Sequence, residues 1–160
     1  MKFYFTAFLL LALVALTSPQ VKAQESFEDL DSSDPSKEAI EALQEAGVIQ
    51  GYEDGTFRST NTINRAEFLK IVVEAMTDNP TGSNCFTDVG EEWYAKYVCY
   101  AKDHGDVSGY SDGTFNPGAA INFAEASKVI VNVFNLDPAE VSAPWYRPYV
   151  ESLSTQAAIP

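Results

Sequence analysis

The chain repeats itself, and this limits its fold before any local pattern is read. Gly51-Tyr52-Glu53-Asp54-Gly55-Thr56-Phe57 returns as Gly109-Tyr110-Ser111-Asp112-Gly113-Thr114-Phe115, at an offset of 58. The same offset carries Ile63-Asn64-Arg65-Ala66-Glu67 onto Ile121-Asn122-Phe123-Ala124-Glu125, and 10 of the 17 positions spanned are identical. Upstream, Phe27-Glu28-Asp29 answers Phe86-Thr87-Asp88 with one residue of slippage. A third copy opens with Trp145-Tyr146-Arg147-Pro148-Tyr149-Val150, which aligns with Trp93-Tyr94-Ala95-Lys96-Tyr97-Val98 at an offset of 52. In that frame its glycine loop would start at 161, so the third copy is incomplete. A unit this short cannot bury its own apolar faces, and neighbouring copies are expected to cover them.

Each copy reads as helix, Gly-rich loop, helix. Asp34 is a suitable N-cap and Pro35 suits the first helical position, where a missing N–H costs nothing. Ala39, Ile40, Leu43 and Ala46 follow helical spacing and are expected to be buried, with Gly47 ending the helix in a left-handed conformation. Asp-Gly marks the turn of the loop, and Thr-Phe returns an aromatic to the core. Asn64 and Glu67 have capping-box spacing at the second helix, with Phe68, Ile71, Val72 and Ala75 as its expected buried stripe. Asn122 and Glu125 repeat the cap, and Ala126, Val129, Ile130 and Val133 the stripe. The expected fold is mainly α. A fragment lacking the second half of its third unit is expected to leave apolar surface exposed or covered by another chain.

The first residues read as processing, not fold. Lys2 precedes an uncharged run from Phe3 to Leu16, Pro19 breaks it, and Val21-Lys22-Ala23 places small residues at −3 and −1 before Gln24. These are the parts of an export signal, and the apolar run falls short of the ~20 residues of a spanning helix. The alternative is a buried or membrane-anchoring N-terminal helix. Cleavage after Ala23 would leave 137 residues with 8 basic and 23 acidic side chains. The product is secreted on this reading, with no membrane segment left after cleavage. Export to an oxidising compartment favours a disulfide between Cys85 and Cys99, the only cysteines; two free thiols are the alternative.

Composition excludes several functions. The net charge of −13 leaves few cations for phosphates, so no nucleic-acid partner is expected. Two cysteines and one histidine, His104, cannot build the usual zinc sites. A calcium loop centred on Gly55 or Gly113 lacks the closing glutamate and all but one carboxylate, so no metal is expected. His104 is expected to meet the last carbonyls of its helix. No nucleophile elbow or zinc-protease motif occurs. Neither a catalytic residue nor a cofactor is expected.

The paired GYxDGTF and I-N-x-A-E segments, with the F-x-D opening and the tryptophan-led first helix, resemble the S-layer homology family over about residues 27–160. After the export signal read at 1–23, the resemblance implies repeats at 24–81 and 82–138 and a truncated third repeat at 139–160. It also implies a pseudo-threefold helical spindle whose inter-repeat grooves bind cell-wall polysaccharide, often pyruvylated, and so hold an exported protein at the cell envelope. The implied glycan set is Arg65, Asp54, Gly55, Asp112, Gly113, Trp93 and Trp145. Arg65 sits where a helix start and a guanidinium together suit a carboxylate. Asp54 and Asp112 can equally serve only the turns, Arg65 a surface ion pair, and the tryptophans packing between repeats. Glu67 and Glu125 read as caps. The chain departs from the family in Phe123, where an arginine is usual, and in Pro35, where Trp93 and Trp145 stand in the other copies. Two other roles fit the same sequence: a structural surface-layer protein that packs against other surface-layer subunits, and the anchor of a larger exported enzyme.

Overall fold

The computed structural model of the chain describes residues 26–140 and 144–156, and the export signal read at 1–23 lies outside them. Among the described residues there are five helices and no strand: α1 (Lys37–Glu45), α2 (Arg65–Glu74), α3 (Ala95–Asp103), α4 (Phe123–Val133) and α5 (Arg147–Thr155). None is long and apolar enough to cross a membrane.

Local chemistry sets the helix ends. Asn64 accepts from the amide of Glu67 at 2.8 Å, and the Glu67 carboxylate accepts from the amide of Asn64 at 3.0 Å. Asn122 and Glu125 form the same reciprocal pair at α4. The start of α1 differs from the expectation. Its N-cap is Ser36 and its first helical residue is Lys37. Asp34 instead accepts from the Ser36 amide at 2.8 Å and closes a turn before the helix, because a short carboxylate reaches its own backbone two residues on.

Three helices end alike. After α1, Gly47 donates to Gln44 O and Val48 to Leu43 O; after α3, Gly105 donates to Lys102 O and Asp106 to Ala101 O; after α4, Asn135 donates to Asn132 O and Leu136 to Val131 O. The residues at the bend, Gly47, Gly105 and Asn135, are left-handed. This double bond-back is the Schellman motif, in which the residue after the bend usually packs an apolar side chain on the helix.

The second helix of one repeat packs on the first helix of the next, α2 on α3 and α4 on α5, and α2 also touches α4. Leu69 and Val73 of α2 share a core with Tyr97, Val98 and Ala101 of α3, joined by Val89 and Phe115. The Tyr97 hydroxyl donates to Glu74 at 2.5 Å, and burial together with that carboxylate pushes the phenol up to about 12. Cys85 and Cys99 are disulfide-bonded, with Cα atoms 5.4 Å apart, which fastens the approach segment to the middle of α3. The Lys102 ammonium donates to the Cys85 carbonyl from the next turn.

The buried stripes are rotated from those read in the sequence. Helix α2 buries Ala66, Leu69, Val72 and Val73, whereas Phe68 and Ile71 are half-buried and Ala75 is exposed. Helix α4 buries Ser127, Val131 and Val133, with Ala126, Val129 and Ile130 half-buried. In α1 only Ile40 of the expected stripe is buried; Ala39, Leu43 and Ala46 are exposed. The α3 counterparts of Ala39 and Leu43, at the offset of 58, are Tyr97 and Ala101, both buried in the core shared with α2. No described helix covers α1 in that way.

Each glycine loop is braced by the segment before its first helix. Asp29 accepts from the amides of Phe57 and Arg58, both at 2.7 Å. Asp88 accepts from those of Phe115 and Asn116 at 2.8 and 2.7 Å. Phe27 lies against Phe57 and Phe86 against Phe115, with ring centroids 5.3 and 5.5 Å apart. The first glycine of each loop is required by this approach. A Cβ at Gly51 would overlap the Phe27 ring, and one at Gly109 would lie 2.5 Å from Phe86 Cε1.

Candidate functional site

Repeat one meets repeat two at the start of α2. The amide of Arg65 donates to Ala119 O at 2.9 Å, that of Ala66 to Pro117 O at 3.0 Å, and Ile121 returns a bond to Ile63 O at 3.2 Å. The expectation of free donors at this helix start is therefore corrected: a neighbouring loop uses the first two amides and Asn64 the third. The arginine side chain is also engaged. Its Nε donates to Phe115 O at 2.9 Å and its Nη1 lies 3.3 Å from Glu125 Oε1. The guanidinium stands over the rings of Phe115 and Tyr110, at 4.7 and 5.1 Å from their centroids. Among the described residues its Nη2 has no hydrogen-bond partner.

These contacts place Arg65 on the wall of a groove of about 250 Å³. Repeat two supplies Asp106, Ser108, Tyr110, Glu125 and Lys128, and the third copy supplies Trp145. The indole is 56% exposed. Lys128 Nζ lies 6.0 Å from the Trp145 ring and 5.7 Å from that of Tyr149. A second groove, of about 510 Å³, lies in repeat one. Its lining includes Val48, Gln50, Tyr52, Glu67 and Lys70, the counterparts of Asp106, Ser108, Tyr110, Glu125 and Lys128. Both grooves thus use one surface of the repeat. Only the smaller adds an arginine from the preceding copy and a tryptophan from the following one.

The remaining residues singled out in the sequence lie elsewhere. Trp93 lines neither groove and sits edge-on to Tyr94, as Trp145 does to Tyr146. Asp54 and Asp112 each accept from the amide and hydroxyl of the threonine two residues on. The Thr56 and Arg58 side chains bring the Asp54 carboxyl down to about 2, and the Thr114 hydroxyl and amide lower that of Asp112. Gly55 and Gly113 are left-handed at the same turns. His104 holds the Tyr100 carbonyl at 2.8 Å through Nδ1 and stacks on the Tyr100 ring.

Two features escaped the sequence reading. The brace function of Asp29 and Asp88 was signalled by their recurrence before each loop, but spacing does not show which amides a carboxylate will meet. Arg58 takes a left-handed φ of 61°, pairs with Asp54 at 2.6 Å and lies 4.0 Å over Tyr52. Its counterpart is Asn116, so the repeat carried no signal for a cation there.

Comparison with known proteins agrees with the repeats. The model of the S-layer homology domain matches residues 26–69 and 86–127, the two complete copies. The chain is 31% identical to the surface-layer 125 kDa protein of Lysinibacillus sphaericus over 92% of its own length. It is 33% identical to the cellulosome-anchoring protein of Acetivibrio thermocellus over 66%, and 32% identical to an S-layer protein of Bacillus licheniformis over 78%. It spans 14%, 25% and 15% of these three proteins, respectively.

Proposed function

The chain belongs to the S-layer homology domain family, and on that premise we propose that it is a non-catalytic module that holds an exported protein at the cell envelope. It does so by binding cell-wall polysaccharide between repeats. The observation that carries this reading is the meeting of three copies at one groove: Arg65 from the first, Tyr110 and Lys128 from the second, Trp145 from the third. An exposed indole takes the apolar face of a pyranose, while surrounding charges and hydroxyls bond its polar edge. Arg65 Nη2 and Lys128 supply cations for a pyruvate ketal where the glycan carries one. The net negative chain gives no long-range attraction to such a glycan, so binding depends on these local donors. The succession of α2 on α3 and α4 on α5 supports a spindle of repeats, with residues 24–81, 82–138 and 139–160 as its units. Residues 1–23 serve as the export signal, and mature protein begins at Gln24.

The test is calorimetry with polysaccharide released from purified Lysinibacillus sphaericus cell walls. Trp145→Ala should weaken binding at least tenfold, and Trp93→Ala should leave it unchanged. Equal loss in both variants would remove this groove as the site. No binding by the unmutated chain would favour the structural role, with the repeats packing on other surface-layer subunits.

A further inference from the structure

Asp106 stands where the fold calls for an apolar side chain. It follows the left-handed bend of the Schellman motif after α3, and the corresponding positions after α1 and α4 are Val48 and Leu136. Such positions normally pack a hydrophobic group on the last turn. The Asp106 backbone keeps the motif: its amide donates to Ala101 O at 2.8 Å and its carbonyl accepts from Asn132 Nδ2 at 2.9 Å. Its carboxylate has no hydrogen-bond donor or ion-pair partner among the described residues, and Asp106 is one of the residues that line the groove, with Ser108 and Trp145. Val48 occupies the same place in the groove of repeat one. A half-buried carboxylate without an ion-pair partner costs stability, and burial raises its proton affinity above the ordinary aspartate value against a smaller opposing effect of His104. A local rule broken at a cost, inside a cavity and next to an exposed indole, is the pattern of a binding residue.

We propose that Asp106 is the specificity-determining residue of the groove, accepting hydrogen bonds from free hydroxyls of a neutral sugar unit seated on Trp145. The inference rests on the glycan reading and deepens it. A carboxylate accepts two O–H bonds from adjacent hydroxyls, each strengthened by its charge. A ketal carboxylate brought to the same spot is repelled by Asp106 and Glu125. The groove therefore reads an uncharged, unsubstituted unit at Asp106, whatever the glycan carries elsewhere. The valine at position 48 makes the groove of repeat one unable to do this.

The test uses the full chain and the same Lysinibacillus sphaericus polysaccharide. Asp106→Val should raise Tm, since it restores the apolar residue of the other two motifs, and should lower affinity at least tenfold. A residue with only a structural role would move both in the same direction. Asp106→Asn should bind weakly and show a flatter pH profile than the unmutated chain, whose affinity should fall on acidification as Asp106 takes up a proton. His104 on the same turn, Arg65 on α2, Tyr110 on the loop, and Glu125 and Lys128 on α4 are present in both proteins, so the difference between profiles isolates Asp106. Unchanged affinity in Asp106→Val, with the unmutated chain binding, would overturn this proposal alone. Failure of the unmutated chain to bind would overturn it together with the glycan reading.

Discussion

Glu125 serves two repeats at once: its Oε2 accepts from the Asn122 amide at 3.2 Å and caps α4, while its Oε1 lies 3.3 Å from Nη1 of Arg65. The cap of one unit is thereby the anchor of the unit before it. Arg65 completes the joint through Phe115 O, so one side chain ties α2 to the loop and to the second helix of the next repeat. Positions 65 and 123 are counterparts, and only the first carries an arginine.

Arg65→Ala should therefore lower stability as well as glycan affinity. The lost bond joins a charged donor to a carbonyl in a half-buried joint, worth about 1.5–3 kcal/mol. The helix itself should persist, because Asn64 and Glu67 still cap it. Arg65→Lys should recover only part of the loss, since an ammonium lacks the planar fork. Urea unfolding and calorimetry on the same samples separate the two effects. A variant as stable as the parent would show that the joint does not depend on this residue.

Two of the left-handed glycines of repeat two, Gly105 and Gly109, should respond differently to a methyl group. At Gly105 nothing lies within 4 Å of the place a Cβ would take, so Gly105→Ala should cost only the backbone conformation, about 1–2 kcal/mol. At Gly109 the same Cβ meets Phe86 Cε1 at 2.5 Å and Thr114 O at 2.6 Å. Gly109→Ala must also displace the brace of the loop, and should cost clearly more in thermal unfolding. Equal costs would mean that the Phe86 contact yields freely.

Much of this was legible because repetition and capping are written in short spacings. The helix–loop–helix order and both Asn–Glu caps follow from residues a few positions apart. Burial was less legible. Ala39, Leu43 and Ala46 have the spacing of a buried stripe, but spacing shows that a helix has a face, not that another element covers it. The rotation of the α2 stripe from Phe68 to Leu69 has the same origin, since the covering helix α3 comes from the next repeat. Among the residues that line the candidate groove, Arg65 and Trp145 were singled out by residue type, while Asp106 was not. Its significance appears only when three helix ends are compared and one carries a carboxylate.

The Cys85–Cys99 bond closes a loop with a sequence separation of 14. In the loop-entropy view, a closure of that size stabilises by about 3 kcal/mol at most. Replacing both cysteines with serine should lower the urea midpoint accordingly, with the m-value reporting any change in the unfolded chain. Cys99 is buried in the α2–α3 core, so Cys99→Ala with Cys85→Ser is the gentler replacement and should lose less. No loss in either variant would show that the brace at Asp88 already orders this segment.

Acid should act on the two kinds of aspartate in opposite senses. Amide bonds from Phe57 and Arg58 lower the Asp29 carboxyl, the Thr114 side chain and amide lower that of Asp112, and Thr56 and Arg58 bring Asp54 to about 2. A group depressed on folding stabilises above its unfolded value, ~3.9, and loses that contribution as pH falls through the folded value. These loops should therefore weaken between about pH 4 and pH 2. All three carboxylates are exposed, so solvent screening keeps each contribution small. Asp106 is raised by burial, so its ionised form costs stability at neutral pH and that cost disappears on acidification. Asp54→Asn should flatten the acid limb of a stability–pH profile, whereas Asp106→Asn should raise the neutral plateau and leave the limb below pH 4 nearly unchanged. Urea midpoints measured from pH 2 to 7 would show both, and a neutral plateau lowered by Asp106→Asn would mean that the carboxylate is paired in solution.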